Sequence, residues 1–296
     1  MCESAGGSFQ DFSISEEGQG ATPDYAKLVK RYRKSAEQGN AIAQYNLGFL
    51  YEDGREVTQD YVEAMKLYRK AAVQGHAKAQ CSLGDLYKKG LGVTQDYAEA
   101  VKWYRKSAVL GHAIAQCNLG LLYQRGQGVT QDYAEAMKLY RKAAVQGDAR
   151  AQFRLGDLYK KGLGVTKDYA EAVKWYRKSI EKEFPLAQTA LGDLYRKGQG
   201  VSQDNAEAMK LYRKAAVQGD ANAQYRLGTL YYEGQGITPN YVECYVWMDL
   251  VTIRVKEKQR ELAVKVRNKC AKFLTPAMLS TAQKRVAEIQ EEINKL

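Results

Sequence analysis

Hydrophobic positions recur along most of the chain with a period of 36 residues. In the copy at residues 77–112, Ala79, Leu83 and Leu86 fall on one side of a helix. A second apolar set with helical spacing follows in the same copy: Ala100, Trp103, Tyr104 and Ala108. Each copy therefore predicts two amphipathic helices, which we call helix A (here about 77–89) and helix B (here about 96–110).

A glycine lies inside helix A in every copy, and a tyrosine always follows it three residues later. The six glycines are Gly48, Gly84, Gly120, Gly156, Gly192 and Gly228. Glycine destabilises a helix interior by about 1 kcal/mol relative to alanine, so its recurrence predicts the close approach of a neighbouring helix backbone. Self-similarity at this period is typical of a solenoid, in which each repeat packs on the next.

The segments between the helices supply the expected end signals. Gly90 and its equivalents predict a C-cap for helix A, and Asp96 with Glu99 predicts a capping box at the start of helix B. Glu183 stands where most other copies have a glycine after helix B, and Pro185 follows it. Proline is tolerated at the first helical position, so we expect a local change in packing there rather than a break.

The repeats also predict the domain organisation. We predict a disordered or weakly ordered tail at residues 1–20, a repeat solenoid at residues 21–258 and C-terminal capping helices at residues 259–296. The solenoid opens with a half-repeat at 21–39, and six full repeats follow. The capping segment shows two apolar stripes, one of Leu262, Val266, Cys270 and Phe273, the other of Leu279, Ala282, Val286, Ile289 and Ile293.

Composition limits the partners and the cellular compartment that we expect for the protein. A formal net charge of +11 permits an anionic partner without requiring one. The N-terminal residues lack the basic start and apolar run of a secretory signal, and no stretch of 18 apolar residues occurs. Five cysteines fit a reducing compartment better than a disulfide framework, and we expect Cys81 and Cys117 to be free thiols. We predict a cytoplasmic monomer without a transmembrane segment.

The repeated words Ala-x-Ala-Gln-x-x-Leu-Gly-x-Leu-Tyr, Gly-x-Gly-Val and Asp-Tyr-x-Glu-Ala resemble those of the Sel-one-like repeat family, relatives of the tetratricopeptide repeats. The resemblance covers about residues 24–248. It implies an α/α superhelix that works as an adaptor or scaffold for other proteins, with motif residues that are structural. We therefore predict an all-α fold, a right-handed α/α superhelical solenoid of 36-residue helix-turn-helix repeats with a C-terminal helical cap.

Catalytic and metal sites find little support in the sequence. The Gly-x-Gly-Val loops recur between two helices, whereas a phosphate-binding loop follows a strand, so we interpret them as turns. His76 and His112 are the only histidines and fall at helix starts, and two histidines alone make a poor metal site. We expect no catalytic residue, no metal and no cofactor, and hence no enzyme.

Two surfaces are candidates for binding. The outer face of helix B carries a basic ridge, with Lys102, Arg105 and Lys106 in one copy and equivalents in the others; it suggests an alternative function, binding to an acidic protein, nucleic acid or membrane. A solvated face of long side chains is the competing interpretation, and a nucleic-acid partner is not expected.

Helix A varies from copy to copy while its apolar face stays fixed. We predict that these variable positions line the concave side of the solenoid and bind a peptide or protein, with drift at unimportant positions as the competing explanation. The predicted site comprises Tyr45, Asn46, Phe49, Lys78, Ser82, Asp85, Ile114, Asn118, Leu121, Arg150, Phe153, Arg154, Asp157, Asp193, Tyr225 and Arg226.

Overall fold

The structure is a computed structural model, which describes residues 25–54, 57–234 and 237–295. The predicted tail at 1–20 and the first residues of the predicted half-repeat lie outside the described residues. The described residues form fifteen helices and no strands. The predicted all-α fold of helix-turn-helix repeats is confirmed.

Helices of type A and type B alternate along the chain. The type A helices are α2 (Ala41–Asp53), α4 (Ala77–Lys89), α6 (Ala113–Arg125), α8 (Ala149–Lys161), α10 (Pro185–Lys197) and α12 (Ala221–Glu233). The type B helices are α1 (Tyr25–Glu37), α3 (Tyr61–Val73), α5 (Tyr97–Val109), α7 (Tyr133–Val145), α9 (Tyr169–Ile180), α11 (Asn205–Val217) and α13 (Tyr241–Arg254). Helices α14 (Glu257–Ala271) and α15 (Pro276–Asn294) follow. The chain divides after His76 into two compact units, the first containing α1 to α3 and the second α4 to α15.

The glycine inside helix A is required by a tyrosine ring of helix B. A Cβ atom added at Gly84 would lie 2.5 Å from Tyr104 Cε1, and one at Gly156 would lie 2.5 Å from Tyr176 Cε1. Both tyrosines are fully buried. A close approach at these glycines is therefore confirmed, but the nearest atoms belong to the aromatic ring of helix B and not, as predicted, to its backbone.

An aspartate caps helix B, as the sequence predicts. Asp96 Oδ1 accepts hydrogen bonds from the backbone N–H of Ala98 and of Glu99, at 2.8 and 3.0 Å. The second half of the predicted capping box is wrong, because the Glu99 side chain pairs with Lys102 instead. The Asp96 backbone N–H donates to the carbonyl of Tyr87 in helix A, at 3.0 Å. This bond recurs in every described repeat and ties the loop to both helices.

Glycines form the loop between helices A and B, which confirms the interpretation of Gly-x-Gly-Val as a turn. Gly126 has a left-handed backbone and ends α6, with its N–H bonded to the carbonyl of Leu122. Two residues later, a Cβ atom on Gly128 would lie 2.2 Å from the backbone carbon of Tyr97 in the preceding repeat. The second glycine of the loop therefore lies against the backbone of the preceding repeat, where a larger residue would not fit.

Glu183 keeps the turn that glycine makes elsewhere. Its φ is 55°, the only positive φ of a non-glycine residue among those described. Helix α9 ends at Ile180 and has 12 residues, one fewer than α1, α3, α5, α7 and α11, and α10 begins at Pro185. The predicted local change is thus a strained turn, and the helix pair after it is complete.

The last three helices share one apolar cluster with α11 and α12. Cys244, Trp247 and Met248 of α13 are buried together with Ala263 and Cys270 of α14 and with Ala282 and Val286 of α15. The predicted α14 stripe is only partly correct, because Leu262 and Phe273 are more than half exposed while Cys270 is buried. Phe273 stacks on the Tyr241 ring with a centroid distance of 4.2 Å.

A disulfide joins Cys244 to Cys270 and so links α13 to α14. The expectation that the cysteines stay reduced is wrong for this pair, because the helices of the cap bring residues 26 apart in sequence into bonding distance. Cys81 and Cys117 are free thiols, as predicted. Disulfides persist in oxidising compartments and are rare in the cytosol, so the cysteines give no support to a cytoplasmic location. Among the described helices none has the length and apolar character needed to cross a membrane.

Candidate functional site

The variable positions of helix A form four rows along successive helices. In α4 they are Lys78 (first row), Cys81 (second row), Ser82 (third row) and Asp85 (fourth row). Each row continues at intervals of 36 residues. Sixteen residues from α2, α4, α6, α8, α10 and α12 were predicted to line the site, and the rows differ sharply in what their side chains contact.

The first row is the most accessible. Lys78, Asn222 and the apolar Ile114 and Leu186 are exposed, the last two to 37% and 39%. Arg150 is half-buried, and its guanidinium lies 3.4 Å from a carboxylate oxygen of Asp148. This row therefore presents alternating charged and apolar side chains to solvent.

The second row fills the interior. Cys81, Cys117, Phe153 and Thr189 are all buried, and only Tyr225 is half-buried in the second unit. The Phe153 ring packs 5.9 Å from the Tyr176 ring and 5.6 Å from the Phe184 ring. In the first unit, Tyr45 packs against Tyr68 and His76. Tyr45 and Phe153, which were predicted as binding anchors, thus pack against other aromatic side chains of the same chain.

Burial also explains the two free thiols of this row. It raises the pKa of Cys117 to about 12 and that of Cys81 well above its usual value, with the carboxylates of Asp148 and Asp85 adding to the respective shifts. A thiol of this kind is protonated near neutral pH and is a poor nucleophile. Among the described residues no group of three or more His, Cys, Asp or Glu side chains could hold a metal.

The fourth row supplies acceptors for buried tyrosines of helix B. Asp85, Asp157 and Asp193 accept hydrogen bonds of 2.7 Å from the hydroxyls of Tyr104, Tyr176 and Tyr212, respectively. A buried hydroxyl without a partner is costly, so each of these tyrosines requires an acceptor. These aspartates are consequently part of the repeat architecture.

Copies without that aspartate find the acceptor three residues later. In α6 the fourth row holds Leu121, and Gln124 Oε1 accepts from Tyr140 at 2.7 Å. In the first unit the fourth row holds Phe49, and Glu52 accepts from Tyr68 at 2.6 Å. Repeats with aspartate in the fourth row have a basic residue three positions later: Lys88, Lys160 or Arg196. Repeats with Leu121 or Phe49 in the fourth row have Gln124 or Glu52 there instead. In these five copies the two positions change together, so the variation is a coupled substitution and not drift. The sequence analysis recognised that the position of Lys88 varies but missed its role as the alternative acceptor, although the coupling is visible in the sequence.

Charges of the fourth row are largely balanced inside the protein. Lys88 Nζ lies 2.8 Å from Asp85, and Lys160 and Lys161 each lie 3.6 Å from Asp157. Arg226 of the third row lies 3.1 Å from Asp193. The remaining residues of the third row are Ser82, Asn118, Arg154 and Ala190 in the second unit and Asn46 in the first, and of these Asn118 and Ala190 are buried.

The basic ridge of helix B also has partners within the chain. Lys102, Lys138 and Lys174 pair with the glutamate three residues before them, as do Lys66 and Lys210. The ridge arginines donate to tyrosine hydroxyls of the next helix A, as Arg141 does to Tyr159 at 2.8 Å. Lys106 and Lys178 lie over the Trp103 and Trp175 rings. These contacts favour a structural role for much of the ridge.

Comparisons with known proteins agree with this architecture. The sequence-family model of the Sel1 repeat matches this chain seven times, at residues 13–40, 41–76, 77–112, 113–148, 149–184, 185–220 and 221–250. The crystal structure of a Sel1 repeat protein from Oxalobacter formigenes is 36% identical and covers 80% of this chain and 99% of its own, with a TM-score of 0.71. No curated protein matches the chain.

Two further solved structures are similar over much of the chain. A protective antigen present in uropathogenic Escherichia coli strains, displaying an SLR fold, is 31% identical and covers 91% of this chain and 73% of its own, with a TM-score of 0.46. A putative Sel1 repeat protein from Klebsiella pneumoniae is 23% identical and covers 68% of this chain and 98% of its own, with a TM-score of 0.47.

Proposed function

Since the chain belongs to the Sel1 repeat family, whose members are generally protein-interaction scaffolds, we propose that it is a non-enzymatic adaptor. We place the binding surface on helix A, where the first row and the half-buried residues of the third row bind a peptide or a protein segment. Nucleic acid is not the expected partner, and the adaptor acts as a monomer.

One observation carries the proposal: the exposed first row varies in chemistry while the apolar face of helix A is constant. Variation in the second and fourth rows is explained by internal packing and by the tyrosine acceptors. Packing does not explain why exposed positions on otherwise equivalent helices alternate between Lys78, Ile114 and Leu186. An exposed apolar patch rimmed by polar residues is typical of an interaction site.

The structure also changes which substitutions test the proposal. Replacing Phe153 would damage the core, because its side chain is 8% exposed. Ile114→Ser with Leu186→Ser instead alters the accessible row. The matched control is Val109→Ser with Val145→Ser, which changes two exposed valines at the ends of helices α5 and α7.

We expect affinity capture followed by mass spectrometry to recover the same partners with wild type and with the helix B control, and to lose them with the helix A variant. Circular dichroism must show equal helicity for all three proteins. Equal recovery by the helix A variant, with the fold intact, would reject the helix A surface.

The helix B ridge is the alternative surface, for an acidic protein, nucleic acid or membrane. A shallow pocket on α7, lined by Met137, Lys138, Arg141 and Val145 among others, offers an apolar floor beside basic groups. Retention on heparin that falls steeply as salt rises, and that is lost with Lys142→Gln and Lys178→Gln, would favour this surface over helix A.

A further inference from the structure

Third-row residues contact the fourth row of the preceding repeat across a spacing of 33 residues. Asn118 Nδ2 lies 3.4 Å from Asp85 Oδ1, and Arg226 Nε lies 3.1 Å from Asp193 Oδ1. The same spacing pairs Ala190 with Asp157, which is neutralised by two lysines of its own helix. A polar third-row residue thus meets an aspartate in two of these three pairs.

Arg154 breaks this rule. It occupies the position of Arg226 two repeats earlier, but the residue 33 positions before it is Leu121. Its guanidinium lies over the Phe153 ring, 5.6 Å from the centroid, and has no carboxylate at ion-pair distance in the described part of the chain. Arg154 is half-buried, so its charge is less screened than that of a fully exposed arginine.

The groups around Arg154 are suited to an anion. Gln124 is half-buried and uses its amide oxygen to accept from Tyr140, so its amide nitrogen is available as a donor. Leu121 stands where sister repeats carry the aspartate, and the exposed Ile114 lies seven residues before it on the same face of α6. Burial raises the pKa of Tyr140, and the positive charge of Arg154 opposes that rise.

We propose that an aspartate or glutamate of the bound partner pairs with Arg154. The partner's carboxylate then does for Arg154 what the carboxylate of Asp193 does for Arg226 within the chain. The partner is therefore a peptide or protein segment with an acidic side chain. The inference rests on the proposed function and specifies the chemistry of that surface. A carboxylate is favoured because it is the group that sister repeats use here, and because arginine binds carboxylates through paired, charge-assisted hydrogen bonds.

The experiment uses a library of random short peptides selected on the wild-type protein. Affinities of the selected peptides are then measured for Arg154→Gln, Leu121→Asp and the matched control Arg267→Gln, a half-buried arginine of α14 whose side chain already has Asp249 as a partner. Leu121→Asp is compatible with the fold, because three sister repeats carry aspartate at this position. It gives Arg154 an internal partner while leaving the arginine in place.

We expect the selected peptides to share an acidic residue at one position. Changing that residue to its amide should weaken binding about tenfold, the effect of losing one charged hydrogen bond. Arg154→Gln and Leu121→Asp should each weaken binding to a similar extent and abolish the preference for acid over amide. Arg267→Gln should leave both the affinity and the preference nearly unchanged, because Arg267 lies outside helix A.

Several results would overturn the inference. Selected peptides without an acidic preference, or with unchanged affinity for Arg154→Gln and Leu121→Asp, would remove the site while leaving the helix A surface intact. Failure to select any peptide, or peptides that still bind the Ile114/Leu186 variant normally, would remove both proposals. If a fluorescent oligonucleotide shows the Arg154 dependence and the peptides do not, the partner is a nucleic acid and the assignment to an acidic peptide is wrong.

Discussion

At the scale of single residues, a helix A glycine lies against a tyrosine ring of helix B in five of the six repeats. Alanine at Gly156 would favour the helix by about 1 kcal/mol, but its Cβ would meet Tyr176 at 2.5 Å. At Gly228 the opposing side chain is Met248, whose flexible end lies 3.0 Å away. The same substitution therefore meets a rigid ring in one repeat and an adaptable chain in another.

We predict that Gly156→Ala lowers the free energy of unfolding by about 1–2 kcal/mol, since overpacking of a rigid contact exceeds the gain in helix propensity. Gly228→Ala, the matched control, should be nearly neutral because Met248 can move. Urea unfolding followed by circular dichroism measures both. Equal effects of the two substitutions would mean that the ring does not set the requirement for glycine.

Glu183 gives a prediction of opposite sign. A non-glycine residue in the left-handed region is strained by about 1–2 kcal/mol, and glycine loses about 0.5–1 kcal/mol more backbone entropy on folding. Glu183→Gly should therefore stabilise the protein by about 0.5–1 kcal/mol in the same urea assay. Glu181→Gly, two residues earlier with φ of −58°, is the control and should destabilise it. A loss of stability with Glu183→Gly would show that its side chain has a stabilising contact.

At the scale of elements, helix boundaries could be predicted from the sequence because their causes are local. Gly126 ends α6 and Asp96 caps α5 through contacts within a few residues. The acceptor of Tyr140 could not be predicted from one repeat, since the hydroxyl reaches Gln124, 16 residues away, where its sisters reach an aspartate 19 residues away. Phe153 was predicted as a surface anchor because periodicity does not show which side of a helix the next helix pair covers.

The disulfide was missed for a similar reason. Cys270 lies in a segment where the repeat pattern has ended, and only the packing of α14 on α13 brings it to Cys244. Closure of a 26-residue loop removes chain entropy from the unfolded state and should stabilise the native fold by about 3 kcal/mol. The stabilisation belongs to the C-terminal helices, because contacts in a solenoid are between neighbours.

We predict that a reducing agent lowers the temperature of the unfolding transition that involves α13 to α15. Calorimetry with and without reductant measures the shift, and hydrogen exchange locates it. The Cys244→Ala/Cys270→Ala variant should unfold at the lower temperature under both conditions. A shift of the same size in that variant would assign the effect of the reductant to other groups.

At the scale of the whole molecule, the repeated tyrosines link stability to pH. Burial raises the pKa of Tyr104, Tyr140, Tyr176 and Tyr212, and the neighbouring aspartates add to the rise for Tyr104, Tyr176 and Tyr212. A tyrosine in the unfolded chain titrates near pH 10. Stabilisation from these groups is thus fully present below about pH 10 and is lost as pH rises towards the folded-state pKa values, because the unfolded state then releases protons that the folded state retains.

The expected loss is steep because the repeats contribute in parallel. Each tyrosine contributes up to about 1.4 kcal/mol per pH unit above pH 10, so four of them approach about 5 kcal/mol per unit. Cys117, whose pKa burial raises to about 12, adds a dependence that begins near pH 8.5, the usual value of a free thiol. The chain has 22 tyrosines, and the more accessible ones ionise near pH 10 in the folded protein. We predict a cooperative alkaline transition in which loss of helicity coincides with a second, later phase of tyrosinate absorbance from the buried hydroxyls. With Tyr176→Phe, one buried tyrosine fewer contributes, so stability should fall less steeply with pH. Ionisation of all the tyrosines near pH 10 while the helices remain intact would show that the buried hydroxyls are open to solvent.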